Sequence, residues 1–294
     1  MKSEYKIAVI GGDMRLLVAA RSMWRDGLKT AVYGFDKYKE STDESIIENS
    51  LSRALADADV IILPLPVSFD GLRVNAPFCS EDIRIESIVD NAKRGALILG
   101  GKLCDKVYEC TLGRGLEIID YFEREELIIQ NSIPSAEGAI AIALNELPIT
   151  LFSSKSLVLG FGRLGKILAK DLLALGSRVT VAARKNSDFA WIDALGYSHC
   201  NIYSPEVALS EADVIFNTVP FVILDEEKLK TVSKNALIID LASRPGGVDS
   251  EAAKRLGIRV VWALSLPGKV APVSAGYIIK DTCCNILRER GIIK

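Results

Sequence analysis

The sequence contains Gly160-Phe161-Gly162-Arg163-Leu164-Gly165, three glycines in the spacing G-x-G-x-x-G. That spacing has a physical use where a strand turns into a helix. The unpaired N–H groups and positive dipole of the helix start can receive a pyrophosphate. Gly160 permits the tight turn, Gly162 lets the backbone come close to the phosphates, and Gly165 lets helix and strand pack closely. The context is the required one: residues 156–159 read as a short apolar strand and 163–175 as a helix. Such a unit binds a dinucleotide.

The following strand, at 178–183, ends on Ala183 and runs into Arg184 and Lys185. A site that prefers NAD places an Asp or Glu near this point for the ribose 2′-hydroxyl. Here no acid occurs until Asp188. A guanidinium takes a 2′-phosphate through two parallel hydrogen bonds and stacks on adenine. The pattern predicts NADP, with NAD the weaker fit. In contrast, the amino-terminal turn Gly11-Gly12-Asp13-Met14-Arg15 lacks the third glycine and places a carboxylate at the helix start. It is expected to hold no dinucleotide and to leave its crevice to substrate.

Ligands of open α/β sheets lie beyond the carboxyl ends of the strands. The residues expected there are Asn217, Thr218, Val219 and Pro220, then Ser243 and Arg244, then Lys269, with Arg15, Ser68 and Lys102 from the first half. Ser132 and Ser135 stand where the chain enters a small-residue helix at the junction of the halves, and Glu137 follows in it. Either serine is a plausible N-cap. If the halves face each other across a cleft, Arg15, Lys102, Arg244 and Lys269 suit a small carboxylate or dicarboxylate. Asn217 and Thr218 would orient a nicotinamide, and Glu137, Lys269, a hydroxyl or water would move the proton. The sole histidine, His199, lies in the edge region of the sheet. Without it there is no Ser-His-Asp set. The six cysteines show no metal spacing and no C-x-x-C pair.

The elements behind these residues form an internal echo. Lys6-Ile-Ala-Val-Ile-Gly-Gly12 is matched by Ser156-Leu-Val-Leu-Gly-Phe-Gly162, and Ala58-Asp-Val-Ile-Ile-Leu-Pro64 by Ala212-Asp-Val-Ile-Phe-Asn-Thr218. Gly95-Ala-Leu-Ile-Leu-Gly100 is matched by Asn235-Ala-Leu-Ile-Ile-Asp240. Short continuous apolar strands alternating with helices indicate parallel sheets covered on both faces. The expected fold is α/β: two doubly wound Rossmann-like domains with parallel sheets facing across a cleft. The expected boundaries are 1–133 and 134–272, with a carboxyl-terminal helix at 273–294 as the candidate to complete the first domain. A net charge of -2 leaves no electrostatic footprint for nucleic acid or an anionic membrane. No continuous apolar run reaches the length of about 18 residues needed for a span, and no leader is read. A cytoplasmic protein with reduced thiols is expected.

Five stretches carry a resemblance: Ile10-Gly-Gly-Asp-Met-Arg15, Asn131-Ser-Ile-Pro-Ser-Ala-Glu-Gly138, the glycine fingerprint, Asp240-Leu-Ala-Ser-Arg-Pro-Gly-Gly247 and Leu266-Pro-Gly-Lys-Val-Ala-Pro272. Together they resemble the dipicolinate synthase A-subunit family of spore-forming bacteria over essentially the whole chain. The resemblance implies a sporulation enzyme of the mother-cell cytoplasm that works with a flavoprotein-like B-subunit of the same synthase. Its implied reaction converts dihydrodipicolinate, or its hydroxylated tetrahydro precursor, into pyridine-2,6-dicarboxylate with NADP as oxidant. A homo-oligomer is expected. Arg244 and Lys269, helped by Arg15 or Lys102, would bind the two carboxylates. Two other readings stay open: an amino- or hydroxy-acid dehydrogenase of similar two-lobed architecture, and a non-catalytic NADP-binding sensor or scaffold.

Overall fold

The computed structural model describes residues 5–38 and 46–294. The chain divides into two compact units, one of Met1–Asn131 with Ala271–Lys294, the other of Ser132–Val270.

In the first unit, β1 (Lys6–Ile10), β2 (Lys29–Tyr33), β3 (Val60–Ile62), β4 (Leu97–Gly100) and β5 (Glu117–Asp120) form a parallel sheet in the order β2-β1-β3-β4-β5. Helices α1 (Met14–Arg25), α2 (Leu51–Leu55), α3 (Ile85–Asn91) and α4 (Asp105–Leu112) connect them. Alternate residues of β1 feed two separate cores: Ile7 and Val9 enter one, Ala8 and Ile10 the other. A strand buried on both faces has no room for polar alternation, hence its continuous apolar sequence.

Next comes α5 (Glu125–Glu146), which contains Pro134. It starts well before Ser132 and Ser135, so neither serine is its N-cap, contrary to the sequence expectation. Glu125 and Glu126 occupy its first turn, where carboxylates favour the positive helix end. Pro134 forfeits one backbone hydrogen bond, yet the helix continues through it. Among the described residues α5 is also the one helix apolar and long enough to cross a membrane, a property that a search for unbroken apolar runs does not register. Its small residues Ala136, Ala139 and Ala143 are wholly buried in the core of the second unit, as in a core helix.

The second unit contains β6 (Lys155–Leu159), α6 (Arg163–Ala174), β7 (Arg178–Ala183), α7 (Asn186–Ala194), β8 (Ser198–Asn201), α8 (Glu206–Glu211) and β9 (Val214–Asn217). It continues through α9 (Glu226–Thr231), β10 (Leu237–Asp240), α10 (Ser250–Leu256), β11 (Arg259–Trp262) and α11 (Leu266–Val270). The strands are all parallel in the order β11-β10-β9-β6-β7-β8. The order reverses between β6 and β9, which opens a crevice beyond their carboxyl ends.

The chain then returns to the first unit as α12 (Pro272–Glu289), which lies against α1. A Cβ on Gly276 would stand 2.6 Å from the Arg15 carbonyl, so only glycine allows this approach. Ile279, Cys283, Cys284, Ile286 and Leu287 are buried in the core that α1 shares. Both thiols are packing groups, and burial pushes their pKa up. Leu287→Ala is expected to cost about 2–5 kcal/mol of stability, measured by urea unfolding of the whole chain. A loss below about 1 kcal/mol would show that α12 is loosely seated.

Candidate cofactor site

The glycine turn of the second unit has the local geometry that its sequence requires. Gly160 has φ +100°, and a Cβ there would stand 2.5 Å from the Thr218 hydroxyl oxygen. A Cβ on Gly165 would stand 2.2 Å from the Gly160 carbonyl oxygen, so the helix start rides directly on the turn. The Thr218 hydroxyl donates to the Leu159 carbonyl at 2.8 Å and ties the end of β6 to the loop after β9. Gly162, the N-cap of α6, faces open space: nothing lies within 4 Å of an added Cβ.

That open space belongs to a cleft of about 390 Å³. Of the residues expected to bind cofactor, Gly160, Gly162, Ala183, Arg184, Lys185, Thr218, Val219 and Pro220 line it. Arg184 and Lys185 are exposed at the end of β7. The remaining expected residues do not line it: Gly165 is a packing residue, Leu164 leans on the core, and Arg163 sits at the first turn of α6. The cleft also includes Asp188 and two exposed aromatic residues that sequence reasoning missed, Tyr203 after β8 and Phe221 after Pro220. A backbone cradle with room at Gly162 and cations at the far edge fits a dinucleotide phosphate chain.

The first unit provides the contrast. Its Gly12 N–H donates to the Asn75 carbonyl at 2.9 Å. A Cβ on Gly11 would stand 2.9 Å from a Val74 methyl. The turn is thus covered by residues 74–76 of its own chain. Asp13 caps α1, accepting from the Arg15 N–H at 3.0 Å.

Three expected site residues need correction. Asn217 is fully buried. Its amide donates to the Val219 carbonyl at 3.1 Å and to Asp240 at 2.8 Å, and its oxygen accepts from the Val219 N–H at 3.1 Å. It braces the loop and cannot touch a nicotinamide. Arg15 is not a free cation, because its guanidinium binds the Asp13 carboxylate and donates to the Leu65 carbonyl at 2.6 Å. The Ser68 hydroxyl donates to Asp70 and accepts from the Gly71 N–H, closing a turn.

Other candidates keep their reach. Ser243 and Arg244 are exposed in the loop after β10, and among the described residues the Arg244 guanidinium has no hydrogen bond or ion pair. Lys102 is exposed after β4 with φ +54°, and its N–H donates to Asp120 at 2.9 Å. Glu137 and Lys269 are exposed on α5 and α11, two helices that meet where Gly138 faces Leu266 and Val270. On α5, Ser132 is buried and Ser135 half-buried. His199 lies on the edge strand β8, stacked on Phe189 at 4.6 Å and outside the cleft. Among the described residues no group of histidine, cysteine and acidic side chains could hold a metal ion.

The strand order, the glycine turn and the cleft define the second unit as a nicotinamide-dinucleotide-binding domain of the dehydrogenase type. Residues 141–255 match the family model "D-isomer specific 2-hydroxyacid dehydrogenase, NAD binding domain". Residues 6–122 match the family model of the N-terminal domain of the dipicolinate synthase A-subunit. The dipicolinate synthase A-subunit of Bacillus subtilis (strain 168) is 31% identical over 98% of each chain. A crystal structure of that synthase component from Bacillus subtilis superimposes with a TM-score of 0.89, covering 98% of this chain and 97% of that one. Its counterpart from Bacillus halodurans gives the same TM-score at 29% identity, covering 98% of this chain and 99% of that one. The chain belongs to the dipicolinate synthase A-subunit family. A transhydrogenase from Sinorhizobium meliloti, at 16% identity and a TM-score of 0.74 over 98% of this chain and 94% of that one, shares the fold alone.

Proposed function

We propose that the chain oxidises a cyclic dihydro-dicarboxylate to pyridine-2,6-dicarboxylate, with NADP reduced to NADPH and a proton released. The observation that carries this reading is the placement of Arg244. It is an unpaired, exposed cation after β10, the strand next to β9, whose following loop lines the cofactor cleft. A substrate carboxylate bound by its planar fork would be fixed in orientation as well as in place. Ser243 beside it offers a hydroxyl to the same group.

The turn Gly160–Gly162 would hold the pyrophosphate, Arg184 and Lys185 the 2′-phosphate, and Thr218 to Pro220 the wall of the cleft. When bound there, the nicotinamide supplies the hydride acceptor. The chain contributes position: aligned reactants react far faster than free ones, and this is where binding through Arg244 acts. Glu137 and Lys269, exposed on adjacent helices, are the candidates for carrying off the ring proton. The family name implies a second polypeptide, which we assign as the flavoprotein-like partner of the assembly.

Arg244→Ala is the test. The assay follows NADPH absorbance and pyridine-2,6-dicarboxylate together, starting from freshly generated dihydrodipicolinate, with and without the partner polypeptide. The variant is expected to lose about 100-fold in kcat/KM, near 3 kcal/mol, with its Kd for NADP unchanged. Unaltered substrate kinetics would overturn the assignment of Arg244. Wild-type protein that binds NADP but produces neither product in any combination would overturn the reaction.

A further inference from the structure

Arg244 stands on a loop whose two ends are held by one side chain. Asp240 closes β10 and is only 3% exposed. Its carboxylate accepts from the Ala242 N–H at 3.1 Å and, seven residues along, from the Gly247 N–H at 2.8 Å. Between these two buried anchors Ser243, Arg244 and Pro245 are exposed, while Gly246 is buried. A third donor, the Asn217 amide, reaches the same carboxylate at 2.8 Å. Asn217 in turn grips both the N–H and the carbonyl of Val219, a residue of the cofactor cleft.

The packing leaves the loop little freedom. A Cβ on Gly247 would stand 1.9 Å from the Asn217 amide nitrogen, and one on Gly246 3.1 Å from the Asp240 carboxylate. The Trp262 indole donates to the Ala242 carbonyl at 2.8 Å and closes the far side. A buried carboxylate that accepts three N–H groups is a strong, directional anchor.

We propose that Asp240 is the positioning residue of this site: through Ala242, Gly247 and Asn217 it locks the Arg244 loop to the Val219 loop and so fixes the guanidinium relative to the cofactor. This rests on the reading of Arg244 as the carboxylate-binding residue. Asp240 touches neither substrate nor cofactor. Its effect on substrate passes through Arg244.

The experiment is a double-mutant cycle of Asp240→Asn and Arg244→Ala in the full chain. Binding of pyridine-2,6-dicarboxylate to the NADP-saturated protein is measured by calorimetry. Asp240→Asn alone is expected to raise the dicarboxylate Kd about tenfold, with the NADP Kd within about twofold. In the Arg244→Ala background the same substitution is expected to change the dicarboxylate Kd by less than about twofold. Additive losses would overturn the proposal. Should Asp240→Asn fold poorly, Asp240→Glu keeps the charge but moves the carboxylate by one methylene from the Ala242 and Gly247 N–H groups, and must give the same split. Amide hydrogen exchange supplies a readout independent of substrate. The Ala242 and Gly247 amides are expected to exchange about tenfold faster or more in Asp240→Asn, with β9 and β10 unchanged. Unchanged exchange at both amides would remove the clamp. A wild-type protein that fails to bind the dicarboxylate would overturn the substrate reading, while exchange still decides whether the clamp exists.

Discussion

Gly162→Ala is expected to leave the fold intact and to remove most of the dinucleotide affinity. The position has φ -79° and ψ -164°, which alanine adopts without strain. Nothing stands within 4 Å of the added methyl group. The cost to the fold is the loss of a good N-cap residue, below about 1 kcal/mol. The methyl would instead project into the space where the phosphates approach the helix start. A rise in the Kd for NADP of about tenfold or more, at least about 1.4 kcal/mol, is expected by fluorescence titration. Gly165→Ala should behave in the opposite way. Its methyl would meet the Gly160 carbonyl at 2.2 Å, a backbone atom that cannot swing aside. Overpacking of that kind costs about 1–3 kcal/mol or more, so a lowered Tm should precede any change in binding. An unchanged Kd in a stably folded Gly162→Ala variant would show that the open space at Gly162 is not where a ligand sits.

Replacing Arg184 and Lys185 together by alanine is expected to weaken the binding of NADP and to leave that of NAD nearly unchanged. Both side chains are exposed at the end of β7, and the strand's last residue, Ala183, supplies no carboxylate for a ribose hydroxyl. Loss of a charge-assisted pair to a 2′-phosphate is worth about 1.5–3 kcal/mol, which is about ten- to a hundredfold in the Kd for NADP. The Kd for NAD should stay within about twofold, since NAD offers no phosphate there. Titration of both dinucleotides against wild-type and double variant decides the matter. An equal loss for NAD and NADP would mean that the two cations serve the pyrophosphate or the general field of the cleft.

The sequence is most legible where burial is symmetrical. β1, β3, β9 and β10 are covered on both faces, so each carries three or four consecutive apolar residues and its match in the other half is visible. β8 gives no such signal, because at the sheet edge it carries Ser198, His199, Cys200 and Asn201, none of them buried. With β8 unmarked, Tyr203 beyond it cannot be assigned to the cleft from sequence. The glycine fingerprint is readable because each glycine answers a local steric demand. Arg15 and Asn217 mislead for the converse reason. Besides a partner two residues away, each has a distant one, the Leu65 carbonyl and Asp240, 50 and 23 residues along the chain, and no local pattern marks that second pairing. Asp240 itself passes for the end of an apolar strand, although a carboxylate closing a buried run is an anomaly that asks for N–H donors. The start of α5 is misplaced by sequence because Ser132 and Ser135 look like N-caps, whereas the helix begins at Glu125 and runs on through Pro134.

The first unit is assembled from two separated stretches of chain, with α12 completing the cover over α1. During synthesis this has a consequence for order. When β1 to β5 have emerged, Leu16, Leu17, Ala20 and Met23 belong to a core whose α12 members, Ile279, Cys283, Cys284, Ile286 and Leu287, have not yet been made. At ordinary elongation rates the wait is on the order of ten seconds. The second unit is contiguous and can close on itself in that interval. The face of α1 that α12 covers therefore has no partner from its own chain until the last helix is made, so the first unit completes its core only after the second unit has been synthesised.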